Sequence, residues 1–221
     1  MTARPRRIRA RHELDRIRER ASYERDSAYA VLDAGLVAHV GFAAGAQPFV
    51  IPMLYARDGD ALLLHGSVAS RLVKSLAEGI ECCVAVTHLD GLVLARSHFH
   101  HSANYRSVVA FGRAFAITDP GAKVAALERF VEFVLPGRAA DTRAADPAEL
   151  AATTVLRMPI ADFSVKSRTG GVKDHPDDLA SPAWAGVLPL ALACGAPEPD
   201  NASAPVPDYL ARVVSSGIER R

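Results

Sequence analysis

Between residues 36 and 117 the chain is a succession of short apolar runs, at 36–42, 49–55, 61–65, 82–89, 92–99 and 108–117, several of them rich in Val, Ile and Phe. Runs of that length and composition are strand-like, and six so close together predict a mostly antiparallel sheet. The connectors agree. Asp58-Gly59 and Asp90-Gly91 each separate two runs, and Asp-Gly accepts the positive φ of a tight hairpin; Gly45 serves likewise between Phe42 and Phe49.

Helices are few. Leu14, Ile17, Tyr29, Val31 and Leu32 suggest one over 11–35, stopped by Gly35. Leu72, Val73 and Leu76 recur at helical spacing over 70–78, behind a capping Ser70 and before Gly79. Val124, Leu127, Phe130, Val131 and Val134 form one face of a helix over 120–135, capped by Asp119. A short helix over 148–152 leads to a last strand over 154–165, and a Pro-rich stretch at 196–207 precedes a tail helix. A sheet of six or seven antiparallel strands with peripheral helices removes its edges by closing, so the expected class is mainly β (α+β), a split β-barrel. The expected organisation is an Arg-rich arm over 1–25, the barrel domain over 26–192 and a tail over 193–221.

With 49% hydrophobic residues and a net charge of +1, the chain can bury a core but offers no global field to nucleic acid. Arg4, Arg6, Arg7, Arg9, Arg11, Arg16, Arg18, Arg20 and Arg25 make the arm locally basic; Glu13, Asp15, Glu19 and Glu24 interrupt it, and a solvated helix face is preferred to a polyanion contact. The longest apolar run, over 186–194, is short and carries Pro189, so no membrane span is expected. No secretory apolar stretch is seen, and a cytoplasmic location is expected. Cys82, Cys83 and Cys194 give neither a disulfide framework nor metal-ligand spacing.

The sequence contains no GxGxxG, GxxxxGK[ST], HExxH, GxSxG or CxxC motif. Three polar clusters remain. His65-Gly66-Ser67-Val68-Ala69-Ser70-Arg71, with Lys74, runs from a strand end into a helix; its hydroxyls, free amides and cations suit a phosphate, although a capped helix with two surface cations accounts for it equally well. The second stretch, 94–107, holds Arg96, His98, His100, His101, Asn104, Tyr105, Arg106 and Ser107. No nearby carboxylate or Cys completes a metal site, and His100 and His101 point apart on an extended chain, so a polar pocket floor is preferred and no metal is assigned. In the third, Lys166 and Arg168 project to one side of a strand and precede Trp184, the only tryptophan, whose simplest reading is a core aromatic.

In their order and spacing, 37–42, 47–52, 64–67 with Ser70-Arg71, 90–97, 100–107, 166–170 and 184–187 resemble the pyridoxamine 5′-phosphate oxidase-related FMN-binding split-barrel family, near its nitroimidazole-resistance reductases. The resemblance implies a homodimer with two FMN sites at the interface. Val50, Ile51, Pro52 and Met53 would offer backbone to the isoalloxazine edge. His65, Gly66, Ser67, Ser70 and Arg71, with Lys74, would hold the phosphate. Asn104, Tyr105, Arg106, Ser107 and Trp184 would come from the second subunit, with Lys166 and Arg168 also at the cofactor. His100, His101, Tyr105 and Trp184 would bound a pocket over the flavin, with His101 and His65 the nearest approach to acid–base groups. The vitamin B6 oxidase ends in an Arg-containing motif for its substrate's phosphate; here Trp-Ala-Gly-Val-Leu-Pro-Leu stands instead, so a different small-molecule substrate is expected. The expected function is FMN-dependent electron transfer from a reduced donor to a small organic acceptor or oxygen. The alternative is a flavin- or haem-binding storage or sensing protein without turnover, with the deazaflavin F420 and histidine-ligated haem as other possible cofactors.

Overall fold

The computed structural model describes residues 11–14, 16–200 and 205–216. Arg4, Arg6, Arg7, Arg9 and Asp15 of the basic arm lie outside the described residues. Strands β1 (Ala21–Ser22), β2 (Val37–Ala44), β3 (Gln47–Leu54), β6 (Glu81–Leu94), β7 (Ser102–Arg113) and β10 (Asp162–Arg168) form the larger sheet, in the order β1-β10-β7-β6-β2-β3, with β11 (Gly186–Pro189) also paired to β6. The smaller sheet is β4 (Ala56–Asp58), β5 (Ala61–Ser67), β9 (Thr153–Pro159) and β8 (Phe115–Ala116), in the order β4-β5-β9-β8. The pairings are antiparallel throughout. This is the expected split barrel, its strands distributed over two sheets.

The chain passes between the sheets at Tyr55, which is fully buried and donates its hydroxyl to the Leu32 carbonyl at 2.5 Å. Alternation along the strands then selects the core. Val40 of β2, Leu62 and Leu64 of β5, Val84 and Val86 of β6 and Val108 of β7 meet Leu32 of α1 (Arg25–Ala34) and Leu76 of α2 (Arg71–Ala77). Leu63, on the other face of β5, joins a separate cluster with Val155 and with Ala126 and Phe130 of α3 (Pro120–Val134). Thus β5 is covered on both faces. Two further α-helices are α4 (Pro147–Ala152), started by a capping box between Asp146 and Glu149, and α5 (Asp208–Ser216). Among the described residues no helix is long and apolar enough to cross a membrane.

Several sequence expectations need correction. The helix over 11–35 begins only at Arg25. Before it, Arg11 is held across the sheet by Glu81 and Asp162, each at 2.5 Å, Ile17 adopts a left-handed φ of 57°, and Ala21–Ser22 pairs with β10. Gly45 and Gly59 make hairpin turns at φ 61° and 56°, but Asp90-Gly91 does not: β6 continues through it with a register shift between Leu89 and Gly91. An Asp-Gly pair suits a bulge as well as a turn, and here the tertiary pairing with β7 decides. The strand over 154–165 is two strands, β9 and β10, which belong to different sheets.

Candidate functional site

At the end of β5 the backbone turns through Val68 and Ala69 into α2. The Ser70 amide donates to the Ser67 carbonyl at 2.9 Å, and the Ala69 amide donates to the Ser67 hydroxyl at 3.2 Å. The Ser70 side chain makes no capping hydrogen bond, so its hydroxyl is left for another role. A Cβ on Gly66 would lie 2.9 Å from Val73 Cγ2, so glycine lets strand and helix approach closely. Arg71 and Lys74 are both exposed on α2, and among the described residues no carboxylate neutralises Arg71.

Arg71 instead lies over the Phe49 ring of β3, 4.9 Å from its centroid, and Phe49 stacks on Phe42 at 5.3 Å. That contact ties the turn to β3, where Val50, Ile51, Pro52 and Met53 pair on one side only, with Gly41, Val40, His39 and Ala38. The other edge of β3 has no strand partner among the described residues, and the apolar Val50 and Ile51 are 64% and 39% exposed. Pro48 and Pro52 are compatible with that edge position. The structure therefore brings together the 66–74 turn and the 50–53 strand.

It does not bring the second and third clusters to them within one chain. β7 stands three strand positions from β3, about 14 Å at ordinary strand spacing. Its polar groups are also engaged. Arg106 holds Asp90 with two hydrogen bonds, at 2.9 and 2.8 Å, and keeps that carboxyl below its ordinary range. Asn104 accepts from Arg168 at 2.5 Å and donates to the Gly170 carbonyl, and the Ser107 hydroxyl donates to the Lys166 carbonyl. Arg168 is only 7% exposed and also donates to the Gly171 carbonyl at 2.9 Å, so it braces the 170–171 turn. Lys166 donates to the Arg16 carbonyl, and Tyr105 is half-buried. Trp184 is a surface group rather than a core aromatic: it is 68% exposed and its ring covers Gly186.

In the histidine cluster, a His100 ring nitrogen meets the Ser97 hydroxyl at 2.7 Å and a His101 ring nitrogen meets the Ser97 carbonyl at 2.8 Å. Among the described residues no group of three His, Cys, Asp or Glu side chains is placed to hold a metal ion. Arg96 is committed to Asp174, through its backbone amide at 2.9 Å and its guanidinium at 2.5 Å.

His65 belongs to a different environment from its neighbours in sequence. Alternation along β5 places it on the face of Leu63, toward α3, and Gly66 on the opposite face. Its ring meets Phe130 edge to face at 4.4 Å, its Nδ1 is buried without a hydrogen-bond partner, and burial pushes the imidazole below its ordinary pKa of 6.5, favouring the neutral ring. The ring lines a cavity of about 560 Å³ whose walls include Val124, Leu127 and Val131 of α3 and Arg143 beyond it. Arg143 is paired with Glu149 at 2.6 and 2.7 Å. Sequence reasoning missed this cavity, since its walls are distant in the chain and its apolar residues read as core.

The family model for pyridoxamine 5′-phosphate oxidase matches residues 24–167. The chain belongs to that family. The match takes in β2, β3 and the 66–74 turn. Among solved structures, the flavocytochrome Anf3 from Azotobacter vinelandii is 38% identical, with a TM-score of 0.85 over 91% of this chain and 95% of that one. The FAD and haem binding protein from Mycobacterium smegmatis is also 38% identical, with a TM-score of 0.83 over 87% of this chain and 96% of that one. A Bacteroides thetaiotaomicron protein named for 5-nitroimidazole antibiotic resistance shares the fold at 18% identity, with a TM-score of 0.56 over 66% of this chain and 85% of that one. No curated protein matches.

Proposed function

We propose that the protein is a flavin- and haem-binding electron-transfer protein, built as a homodimer and acting on a small-molecule donor or acceptor. The observation that carries this reading is the 38% identity, over 91% of the chain, with a flavocytochrome. The site geometry is compatible with it. An unneutralised guanidinium at a turn with a free hydroxyl, beside an unpaired strand edge, fits the phosphate and ring edge of a flavin. FMN is the flavin implied by the sequence resemblance, and the FAD of the Mycobacterium protein is the other form; Arg71 and Lys74 suit the phosphate of either.

Each group has residues to hold it. Arg71, Lys74, Ser67 and Ser70 would bind the flavin phosphate, and the β3 backbone over 50–53 would meet the ring. His65, whose ring lines a cavity, would be the histidine to offer haem a nitrogen ligand. A bound flavin supplies hydride acceptance and one-electron transfer; the chain's own residues supply anchorage, orientation and exclusion of water. The homodimer reading is supported by the exposed apolar residues Val37, Val50, Ile51 and Leu54 at the β2–β3 edge, a surface that a second copy can cover. In that arrangement the 104–107 strand and Trp184 of the second subunit would close the flavin pocket.

The test is the absorption spectrum of the purified chain, with released flavin separated chromatographically. Flavin absorption is expected, and FMN, FAD and the deazaflavin are told apart on release. A chain that binds none of these after reconstitution overturns the flavin half of the reading. Bleaching by NADH or NADPH, followed by reoxidation with oxygen, a quinone or a nitro compound, separates an electron-transfer enzyme from a storage protein.

A further inference from the structure

We propose that α5 is a latch on the outer wall of the cavity between β5 and α3. Docked, it holds residues 139–145 in place; released, it lets that wall loosen and widens the way in. The latch governs entry to the cavity, whatever the cavity holds.

Ala139, Thr142, Arg143, Ala144 and Ala145 line the cavity beside the residues of α3. They belong to the connection between α3 and α4, whose one helical piece is a short turn at Ala139–Asp141. Among the described residues no strand pairs with this stretch; Ala139 and Ala145 are half-buried and the rest are exposed. A segment with so few buried contacts stays in place only if its ends are gripped. At the α4 end Arg143 grips Glu149, at 2.6 and 2.7 Å. At the α3 end the grip comes from the tail.

The residue that supplies it is Tyr209. Its hydroxyl donates to the Asp141 carboxylate at 2.8 Å and accepts from the Arg138 guanidinium at 2.9 Å, joining two groups that meet each other only at 3.5 Å. Its ring lies on Gly137, where a Cβ would stand 3.2 Å from two ring carbons. Gly137 has a φ of 91°, so glycine both makes the turn out of α3 and leaves room for the ring. The Thr142 hydroxyl in turn donates to the Arg138 carbonyl at 3.1 Å, which carries the grip into the cavity lining.

The element that bears Tyr209 is suited to come and go. α5 has 9 residues, fewer than the ~12–15 at which an isolated helix holds together in water. Tyr209, Leu210 and Val213 are half-buried, whereas Asp208, Ala211, Val214 and Ser215 are exposed, so the helix meets the body along one narrow face. Leaving that face costs α5 its helix as well as its contacts, which makes docking an order–disorder step with two states.

Thiol labelling of the full chain carrying Val124→Cys tests this, with fluorescein maleimide as the probe and each cysteine followed by peptide mass mapping. Cys82, buried in the other core cluster, and the exposed Cys194 are internal controls. Adding Tyr209→Ala is expected to speed labelling at position 124 roughly tenfold; Tyr209→Phe, which keeps the ring on Gly137 and loses both hydrogen bonds, should speed it less. Labelling of Cys82 should stay slow in both. Hydrogen exchange read by mass spectrometry should show the amides of 208–216 and of 139–145 speeding up together in Tyr209→Ala. An unchanged rate at position 124, or faster exchange confined to 208–216, overturns the latch. So does an equal rise at Cys82, which would mean that the substitution loosens the whole fold.

Discussion

The two faces of β5 offer a ligand opposite things. On the Gly66 side the strand ends in an open turn with hydroxyls, backbone amides and Arg71, which no carboxylate neutralises among the described residues; on the proposed reading it meets a phosphate in water. On the His65 side there is a cavity in which Val124, Leu127 and Val131 stand beside Glu128, Arg143 and Glu149. Charge-assisted hydrogen bonds at a solvent-facing turn give affinity for an anion of any shape, whereas a cavity with both apolar and charged walls selects by shape as well. Adjacent residues in sequence can thus serve two chemistries, because strand alternation separates them more effectively than distance along the chain does.

The contrast can be broken from the open side first. Arg71→Ala should weaken flavin binding by roughly 1.5–3 kcal/mol, the usual size of a hydrogen bond to a charged group, and leave haem uptake unchanged. Fluorescence titration reads the first and the Soret band the second; flavin affinity equal to wild type would remove the Arg71 turn from the flavin site. Gly66→Ala comes next, because its Cβ would press on Val73 at 2.9 Å. Overpacking of that kind costs about 1–3 kcal/mol, so a lower midpoint in thermal melting is expected, and an unchanged midpoint would show that α2 yields freely. Ser70→Ala should cost about 1 kcal/mol of flavin binding with no change in the melt, since its hydroxyl caps nothing. A fall in melting temperature with intact flavin affinity would reverse that assignment.

The smallest effect belongs to the cavity's outer wall. Arg143 and the Asp146 amide hold the Glu149 carboxyl down, to about 2 from its ordinary 4.5. A carboxylate depressed in the folded state adds stability above its unfolded pKa and loses it as the pH falls through the folded value. The melting difference between wild type and Glu149→Gln should therefore be constant above about pH 5 and vanish as the pH drops to about 2. A difference that persists in acid would mean that the glutamine acts through packing rather than charge.

The open side was legible in the sequence because it is local: 65–74 is one contiguous stretch, and the hairpin at Gly59 that aims β5 is announced by its own dipeptide. The same dipeptide misled at Asp90-Gly91, where pairing with β7 on both sides of it, from Glu81 to Val93, outweighs turn preference. The cavity was illegible because Val124, Leu127 and Val131 have the helical spacing of ordinary core positions; nothing in that spacing says that the face meets empty volume rather than side chains. His65 was noticed, but as a neighbour of Gly66, since the side a strand residue takes is fixed by its register in the sheet. Residue type alone makes Trp184 a core aromatic, whereas the family resemblance puts it at the cofactor; its exposure follows from lying just ahead of β11, a strand not foreseen.

Everything in this arrangement hangs on the ladder between β5 and β9, from Ala61 opposite Pro159 to Ser67 opposite Thr153. A slip of one residue there would turn the imidazole toward the 66–74 turn and the glycine toward the cavity, altering both at a stroke. Insertions or deletions near Gly59 are therefore far more dangerous than substitutions of similar size, because the two faces of this strand should fail together when its frame is lost.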